Sequence, residues 1–377
     1  MIERLLQSEI KRRWNDRKAI IVMGPRQSGK TTLLRHFTEE LAAAPLWLNG
    51  DEPDIRLLLG NVTSTRLKDL LGKRSVVVID EAQRIENIGL CLKLIIDNLS
   101  EVKVLASGSS SFELANRISE PLTGRKWEYF LYPLSWQEMV NHHGLLEERR
   151  LLPQRLVYGS YPEIVTRPGD SEARLLQLAD SYLYKDILAW GGIQKPERLE
   201  RLLQALAFQV GNQVSYNELA GITGLNNETV EKYITILEKA FIVFRLGSFS
   251  RNLRNELKKS RKIYFYDNGI RNAVIRHFHP VELRDDIGAL WENYLVSERL
   301  KMMANRNQHV SRFFWRTTQR QEIDYLEEYN GKLSAWEFKW NPKARDRFPL
   351  TFRKAYPQAE IKTITPDNFV DFLTPVG

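Results

Sequence analysis

The residues from Gly24 to Thr31 have the types and spacing needed to bind the phosphates of a nucleotide. They read Gly-Pro-Arg-Gln-Ser-Gly-Lys-Thr. In such a loop the backbone N–H groups close around the phosphates, the lysine reaches the β and γ oxygens, and the threonine hydroxyl ligates Mg²⁺. We therefore predict ATP and magnesium as ligands. The residues expected to bind the nucleotide are Gly24, Pro25, Arg26, Gln27, Ser28, Gly29, Lys30, Thr31, Thr32 and Ser109.

The segments on either side of this loop have the patterns of a strand and a helix. The apolar run from Lys18 to Met23 precedes the loop, and a helical pattern from Thr31 to Glu40 follows it. A phosphate-binding loop requires this context because it closes between a strand and the amino end of a helix. The context favours nucleotide binding over a chance glycine-rich turn.

A second pattern supplies carboxylates for the metal and the attacking water. The β-branched run from Ser75 to Ile79 is typical of a buried parallel strand, and it ends in Asp80 and Glu81. Carboxylates at the carboxyl end of such a strand lie where open α/β sheets bind their ligands. We predict that Asp80 holds Mg²⁺ and that Glu81 orients or deprotonates the hydrolytic water.

Small hydroxyl side chains follow the next apolar run, from Val102 to Ala106. This group spans Ser107 to Ser110 and includes Ser109. Two interpretations stay open: the hydroxyls sense the γ-phosphate from a neighbouring strand, or they cap a helix that begins near Phe112.

Arg125 directly precedes another strand-like run at residues 127–132. An arginine finger neutralises charge in the transition state of phosphoryl transfer, from the same chain or from a neighbouring subunit. We predict this role for Arg125, with a surface arginine in an ordinary ion pair as the alternative.

The segment from about Ile20 to Trp136 resembles an AAA+ ATPase, through GPRQSGKTTLL, VVVIDEAQRI, LASGSSSFEL and LTGRKWEYFLYPLSWQE in that order. More closely, the chain resembles a prokaryotic family in which such an ATPase is fused to a C-terminal domain of unknown function. The residues at 159–163 and 184–187 fit that family too. The resemblance implies three parts: an ATPase core, a winged helix and a restriction-endonuclease-like domain.

Composition limits the class of protein. The 377 residues allow two or three domains, and 43% hydrophobic with 27% charged residues is typical of a globular protein. Charges near Met1 argue against a signal peptide, and no apolar run approaches the length of a membrane span. We therefore expect a cytoplasmic protein with no membrane partner. The single Cys91 lies in an apolar helical stretch and is expected to be buried.

Positive charge points to a polyanionic partner. The formal net charge is +8, and residues 251–262 set six cations against one acid. Such a run either lies along phosphates or forms a solvated connector. DNA is the expected partner.

Changes in periodicity predict an α/β fold with four regions. Strand-like runs at 19–23, 45–49, 75–79, 102–106 and 127–132 alternate with helices, which is the pattern of a parallel sheet. We assign residues 1–140 to a P-loop AAA+ ATPase core. Residues 141–196 are predicted to be a helical lid or connector, with a hinge at 191–196. Residues 197–262 and 263–377 form the remaining two regions.

The region 197–262 has the order helix, helix, turn, helix, strand. A capping box starts at Ser215, and the run from Phe241 to Leu246 supplies the strand. This order indicates a winged helix-turn-helix. Its third helix, from Asn227 to Ala240, would be the recognition helix, but it is rather acidic for a helix that binds DNA. The alternative that the winged helix packs on another domain or subunit therefore stays open.

The region 263–377 carries charges with the spacing of a nuclease site. From Leu333 to Trp340 the chain alternates strictly, which puts Glu337 and Lys339 on one face of a strand and the aromatic residues on the other. Asp324 on a neighbouring strand, followed by Glu-x-Lys, resembles the site of restriction-endonuclease-like enzymes. Asp324, Glu337 and Glu292 are the predicted magnesium ligands, and Lys339 would orient water. Three interpretations stay open: an active nuclease, an inactive platform that binds or docks, and an ordinary amphipathic strand.

Two functions follow from these observations. In the first, an AAA+-type ATPase hydrolyses ATP and acts on DNA, with a metal-dependent nuclease site as a subordinate prediction. In the second, ATP occupancy switches an oligomeric scaffold or regulator with an inactive nuclease-like docking domain. The family resemblance implies a homo-oligomeric ring, with six subunits as one option.

Overall fold

The computed structural model describes residues 1–109, 122–181, 187, 193, 195–250, 260–344 and 348–374. These form two compact units. The first unit comprises Met1–Leu134, Lys239–Phe241 and Ala304–Asn307, and the second comprises Ser135–Glu238, Ile242–Met303 and Gln308–Gly377. Four predicted features lie wholly or partly outside the described residues: the helix expected near Phe112, the motif residues 184–186, the glycines 191 and 192, and the cations at 251–259.

The first unit contains a five-stranded parallel sheet. Its strands are β1 (Ala19–Met23), β2 (Leu46–Asn49), β3 (Val76–Asp80), β4 (Lys103–Gly108) and β5 (Lys126–Phe130), in the order β2-β3-β4-β1-β5. The predicted parallel sheet is confirmed, with strand ends within two residues of the expected ones. Strands β1 and β3 are buried along their whole length, as expected for apolar runs in the middle of a parallel sheet. Because all strands run the same way, their carboxyl ends meet at one edge.

Helices cover the sheet of the first unit. They are Leu6–Arg13, Lys30–Glu39, Pro53–Gly60, Ser64–Leu71 and Ile88–Asn98. Leu6, Leu33 and Phe37 pack with Val22 and Leu105 in the core, because apolar residues recur on one face of the first two helices. Cys91 is buried as expected.

The second unit contains a seven-stranded mixed sheet. Its strands are β6 (Gln213–Val214), β7 (Val243–Ser248), β8 (Arg261–Phe265), β9 (Ser311–Arg316), β10 (Glu322–Tyr329), β11 (Lys332–Phe338) and β12 (Glu360–Ile364), in the order β12-β11-β10-β9-β7-β8-β6. The described helices of this region are Trp136–His143, Leu145–Arg150, Leu152–Tyr158, Pro162–Thr166, Ser171–Ser181, Pro196–Phe208, Tyr216–Thr223, Asn227–Lys239, Asn268–Val274, Ile287–Asn305, Leu350–Ala355 and Phe369–Leu373.

This sheet runs across the boundary that we expected between residues 262 and 263. Strand β8 spans that boundary. At the centre of the sheet, β7 pairs with β9 in parallel, with Gly247 opposite Phe313 and Ser248 opposite Phe314. The helices from residue 141 to 181, expected as a lid, also belong to the second unit. The structure therefore places most of three of the four expected regions in one compact unit, while Lys239–Phe241 and Ala304–Asn307 belong to the other.

The Gly159-Ser160 motif has a structural role in the second unit. Gly159 has φ +70°, and a Cβ there would lie 2.0 Å from Oδ1 of Asp267. Asp267 accepts hydrogen bonds from the backbone N–H of Ser160 at 2.8 Å and of Ile270 at 3.2 Å, and so caps the helix Asn268–Val274. Lys301 donates to the Ser160 hydroxyl at 2.8 Å. Gly159 is thus needed because the backbone packs so closely against Asp267 that only glycine fits.

In the part of the chain that the structure describes, no helix is both long enough and apolar enough to cross a membrane.

Candidate functional site

The phosphate-binding loop connects β1 to the helix Lys30–Glu39, as predicted. Gly29 has φ +93° and precedes the first turn of that helix, a conformation that residues with a side chain rarely adopt. A Cβ on Gly24 would lie 2.1 Å from the carbonyl oxygen of Leu131. Both glycines are therefore required by the local backbone, and the free N–H groups of the first helical turn lie at the loop.

Lys30 and Thr31 lie where the motif predicts. The buried ammonium of Lys30 donates to the carbonyls of Gly24 at 2.9 Å and Pro25 at 2.7 Å, so it lies across the loop. The Thr31 hydroxyl donates to Oδ2 of Asp80 at 2.8 Å. This bond joins the loop to the end of β3. Two adjacent oxygen ligands fit a magnesium ion that takes its other ligands from phosphate and water.

Asp80 is held at the carboxyl end of β3. Its Oδ1 accepts the hydroxyl of Ser107, from β4, and the backbone N–H of Glu81 at 3.1 Å. Its Oδ2 faces Thr31. Both carboxylate oxygens are thus oriented by neighbours, and the aspartate is only 9% exposed.

Glu81 faces the same side as Asp80 because the chain turns sharply after β3. Glu81 has φ +49°, and Gly50 lies so close to this turn that a Cβ there would be 2.4 Å from the Glu81 carbonyl oxygen. Gln83 donates to Oε2 of Glu81 at 2.6 Å, and the Ser109 hydroxyl donates to the same oxygen at 3.2 Å. Gln83 also donates to the Ser109 hydroxyl at 3.0 Å.

Two serines at the carboxyl end of β4 therefore contact the two acids. Ser107 lies within β4, and Ser109 follows the end of that strand. Each contacts one carboxylate, Asp80 and Glu81 respectively. The structure places Ser109 beside the acid that we expect to prepare water. Sequence reasoning missed Gln83, and the only signal was its position two residues after Glu81.

Arg125 lies at the opposite end of the strands from the phosphate-binding loop. Its carbonyl accepts the N–H of Ala19 at 2.9 Å, so it lies at the amino ends of β1 and β5. The phosphate-binding loop follows the carboxyl end of β1, about 15 Å away for a five-residue strand. Arg125 pairs with Asp97 at 2.7 Å. A role as arginine finger within its own chain does not fit this placement, while a role across subunits stays a prediction.

The predicted charges of the C-terminal region come together, but around a cation that we did not predict. The ammonium of Lys262, with 1% of its side chain exposed, lies 2.9 Å from Glu292 and 2.6 Å from Glu322. Asp324 is 4.0 Å from the same ammonium. Lys262 and Tyr264 share one face of β8, and the Tyr264 hydroxyl donates to Glu292 at 2.6 Å.

Glu337 and Lys339 lie beside this cluster, on the face predicted from the alternation. Lys339 donates to Oε2 of Glu337 at 2.8 Å, and Asp324 accepts the N–H of Phe338 at 2.8 Å. On the opposite face, Trp336 and Phe338 pack against the ring of Tyr325.

Burial and like charge perturb these acids. Burial raises the pKa of Glu292 to about 7, although Lys262 opposes the shift. Burial and the charge of Asp324 together raise the pKa of Glu337 to about 7. Burial lowers the pKa of Lys262, but the charges of Glu292, Asp324 and Glu322 outweigh it and raise the pKa above its ordinary value. Lys262 is therefore charged and is the counter-ion of the cluster.

A magnesium site formed by Glu292, Asp324 and Glu337 stays a prediction. Among the described residues, no group of three or more His, Cys, Asp or Glu side chains is arranged to hold a metal ion. Lys262 supplies positive charge next to two of these carboxylates, Glu292 and Asp324.

The basic run at 251–262 also differs from expectation where it is described. Lys262 is buried, and Arg261 pairs with Glu231 at 2.9 Å and donates to the Tyr216 hydroxyl at 2.7 Å. These two cations bind groups of the same chain, so they do not form an exposed row for phosphates.

Comparison with family models agrees with the geometry of the first unit. Residues 16–140 match an AAA domain. This region is therefore similar to an AAA domain. Residues 149–280 and 287–369 match two domains of unknown function, DUF8612 and DUF4143. These matches agree with the expected resemblance to an AAA-type protein and to a C-terminal domain of unknown function.

Two relatives of this chain are described only as uncharacterised proteins. An uncharacterised protein of Mycobacterium tuberculosis is 28% identical over 328 residues, covering 85% of this chain and 70% of the relative. An uncharacterised protein of Haemophilus influenzae is 22% identical, covering 68% of each chain. A solved structure, a Walker-type ATPase of Pyrococcus abyssi, is 15% identical with a TM-score of 0.49, covering 73% of this chain and 96% of that one.

Proposed function

We propose that the first unit binds ATP with magnesium and hydrolyses it. The observation that carries the proposal is the bond between Thr31 and Asp80, which brings the phosphate-binding loop and the acidic strand end to one place. Lys30 and the amides of the loop bind the β- and γ-phosphates. Thr31 and Asp80 hold the magnesium ion, which neutralises charge on the phosphates.

Glu81 is the residue proposed to prepare the attacking water. Among the described residues, its hydrogen-bond donors Gln83 and Ser109 both reach Oε2. This leaves Oε1 to accept a proton from water or to orient it. Ser109 is close enough to Glu81 to respond when a γ-phosphate binds.

Phosphate release measured on two variants tests this proposal. Lys30→Ala should lose nucleotide binding and turnover, because the buried ammonium lies across the loop. Glu81→Gln should keep binding and lose turnover by about a hundredfold or more. Lys73→Ala and Glu86→Gln, which change exposed residues of the same unit, are the matched controls. Wild-type turnover in Lys30→Ala or Glu81→Gln would refute the role assigned to that residue in ATP hydrolysis.

We further propose that the second unit binds DNA without cutting it. The helices Pro196–Phe208, Tyr216–Thr223 and Asn227–Lys239 precede an antiparallel pair, β7 and β8, and β6 joins the pair. This order supports a winged helix. The buried ammonium of Lys262 favours an inactive, restriction-endonuclease-like platform over an active nuclease.

ATP turnover measured with single-stranded, double-stranded and branched DNA tests this second proposal, while the DNA is watched for cuts. Stimulation of turnover without cleavage supports it. Magnesium-dependent cleavage that is lost in Asp324→Ala and in Lys339→Ala would show an active nuclease instead.

A nucleotide-switched scaffold is the competing function, and it predicts a different result. Nucleotide would then change the oligomeric state, and DNA would not stimulate turnover. Size-exclusion chromatography with and without ATP distinguishes the two. A homo-oligomeric ring with Arg125 acting across subunits predicts a large species with ATP, and loss of turnover in Arg125→Ala without loss of ATP binding.

A further inference from the structure

Arg4 is a buried cation that contacts the phosphate-binding loop from outside the motif. It lies just before the helix Leu6–Arg13 and is 7% exposed. Its Nη1 donates to the carbonyl of Ser28 at 2.6 Å, and its Nη2 donates to the carbonyl of Tyr132 at 2.6 Å. Hydrogen bonds from a guanidinium are charge-assisted, and the two donors of its fork fix direction as well as distance.

One acceptor belongs to the loop, and the other follows the segment that packs against its first glycine. Ser28 directly precedes Gly29 and the first helical turn. Tyr132 follows Leu131, which donates its N–H to the carbonyl of Met23 at 2.7 Å and lies against Gly24. Arg4 therefore connects the end of the loop to the segment that supports its beginning.

We propose that Arg4 is a positioning residue for nucleotide binding. A trans peptide is planar, and its C=O and N–H point in opposite directions. When Arg4 fixes the carbonyl of Ser28 on one side, the N–H of Gly29 is fixed on the other. That N–H belongs to the loop amides that bind phosphate, so Arg4 orients a phosphate donor through the peptide bond without touching the phosphate.

This inference rests on the proposed nucleotide binding, and its test separates the two. Titration with fluorescent mant-ATP and mant-ADP measures affinity for the wild type, Arg4→Met and Arg4→Lys. Arg4→Met keeps most of the apolar volume and should bind at least about tenfold more weakly. Arg12→Ala is the matched control because Arg12 lies nearby, is exposed and pairs only with Glu9 among the described contacts.

The conservative variant distinguishes orientation from charge. Lysine keeps the positive charge but presents one ammonium in place of a planar fork, so Arg4→Lys should recover only part of the affinity. Full recovery would show that charge alone matters and would overturn the peptide-orienting role. Melting temperatures with and without ADP identify a merely structural role. In that case both temperatures fall together, whereas loss of positioning reduces the increase that ADP produces.

The remaining outcomes are equally decisive. If the wild type binds no nucleotide, the proposed function fails and Arg4 has nothing to position. If the wild type binds and Arg4→Met binds equally well at a temperature where both are folded, the inference about Arg4 is wrong while the proposed function stands.

Discussion

Lys262→Met tests whether one buried ammonium keeps the acidic cluster of the second unit stable. The Lys262 side chain is 1% exposed and lies within 3 Å of Glu292 and Glu322. Methionine fills a similar apolar volume but leaves the carboxylates without their counter-ion. Removing one partner of a buried ion pair typically costs about 3–5 kcal/mol. We expect a loss of this size in the free energy of unfolding at pH 8.

The loss should depend on pH in a defined direction. Burial raises the folded-state pKa of Glu292 from 4.5 to about 7. An acid with a raised pKa stabilises the fold below its unfolded pKa, and that contribution disappears as the pH rises through 7. At pH 5.5 Glu292 is already neutral in the wild type, so removing Lys262 mainly affects Asp324 and Glu322, whose side chains are 14% and 27% exposed. The expected cost there is about 1 kcal/mol.

Urea unfolding at pH 5.5 and pH 8, followed by tryptophan fluorescence, measures both values. Trp291 is buried next to Glu292 and reports on this region. The double variant Lys262→Met/Glu292→Gln should recover most of the loss at pH 8, because the uncompensated charge is gone. Lys332→Met, at an exposed position on β11, is the control. An equal loss at both pH values, or a double variant no more stable than the single one, would refute this reasoning.

Three further predictions follow from close contacts and raised pKa values. Gly24→Ala places a Cβ 2.1 Å from the carbonyl of Leu131, so the loop must shift and mant-ATP affinity should fall about tenfold or more. Gly159→Ala places a Cβ 2.0 Å from Asp267 at φ +70°, and should lower the free energy of unfolding by about 2–4 kcal/mol in urea. Glu337→Gln removes an acid whose folded pKa is raised to about 7. Between pH 5 and pH 8 the free energy of unfolding should therefore fall less in this variant than in the wild type, by about 1–2 kcal/mol.

Matched variants control for the change of residue type. Gly60→Ala meets only ordinary contacts in the first unit and should leave mant-ATP affinity unchanged. Gly144→Ala has φ +92° but nothing within 4 Å, so it isolates backbone strain from the clash at Gly159. If Gly144→Ala and Gly159→Ala lose the same stability, the contact with Asp267 is not the cause. A pH profile of Glu337→Gln parallel to that of the wild type would contradict the raised pKa.

The parts of the site that lie close together in the sequence were predictable from it. The spacing of Gly24, Gly29, Lys30 and Thr31 determines the loop, because residues this close in the sequence must also lie close together in space. The acids at the end of β3 were predictable for the same reason, since a buried strand has only one carboxyl end at which to present them.

The parts that depend on distant residues were not predictable. Arg4 contacts Ser28, which is 24 residues away in the sequence, and Tyr132, which is 128 residues away. Arg125 resembled a finger in its local pattern, but its distance from the loop follows from pairing between β1 and β5. From the sequence, Lys262 was interpreted as one cation of an exposed run. A pattern of charges does not show which face of a sheet is covered by other elements, so the burial of Lys262 could not be predicted.

The parallel pairing of β7 with β9 bears on how this protein can be dissected. The two matched regions at 149–280 and 287–369 suggest a fragment that begins after residue 286. Such a fragment would expose the edge of β9 along Phe313 and Phe314. Such an open edge recruits strands from other molecules and promotes aggregation. Expression of the C-terminal domain should therefore keep β7 and β8 attached to obtain a well-behaved sample.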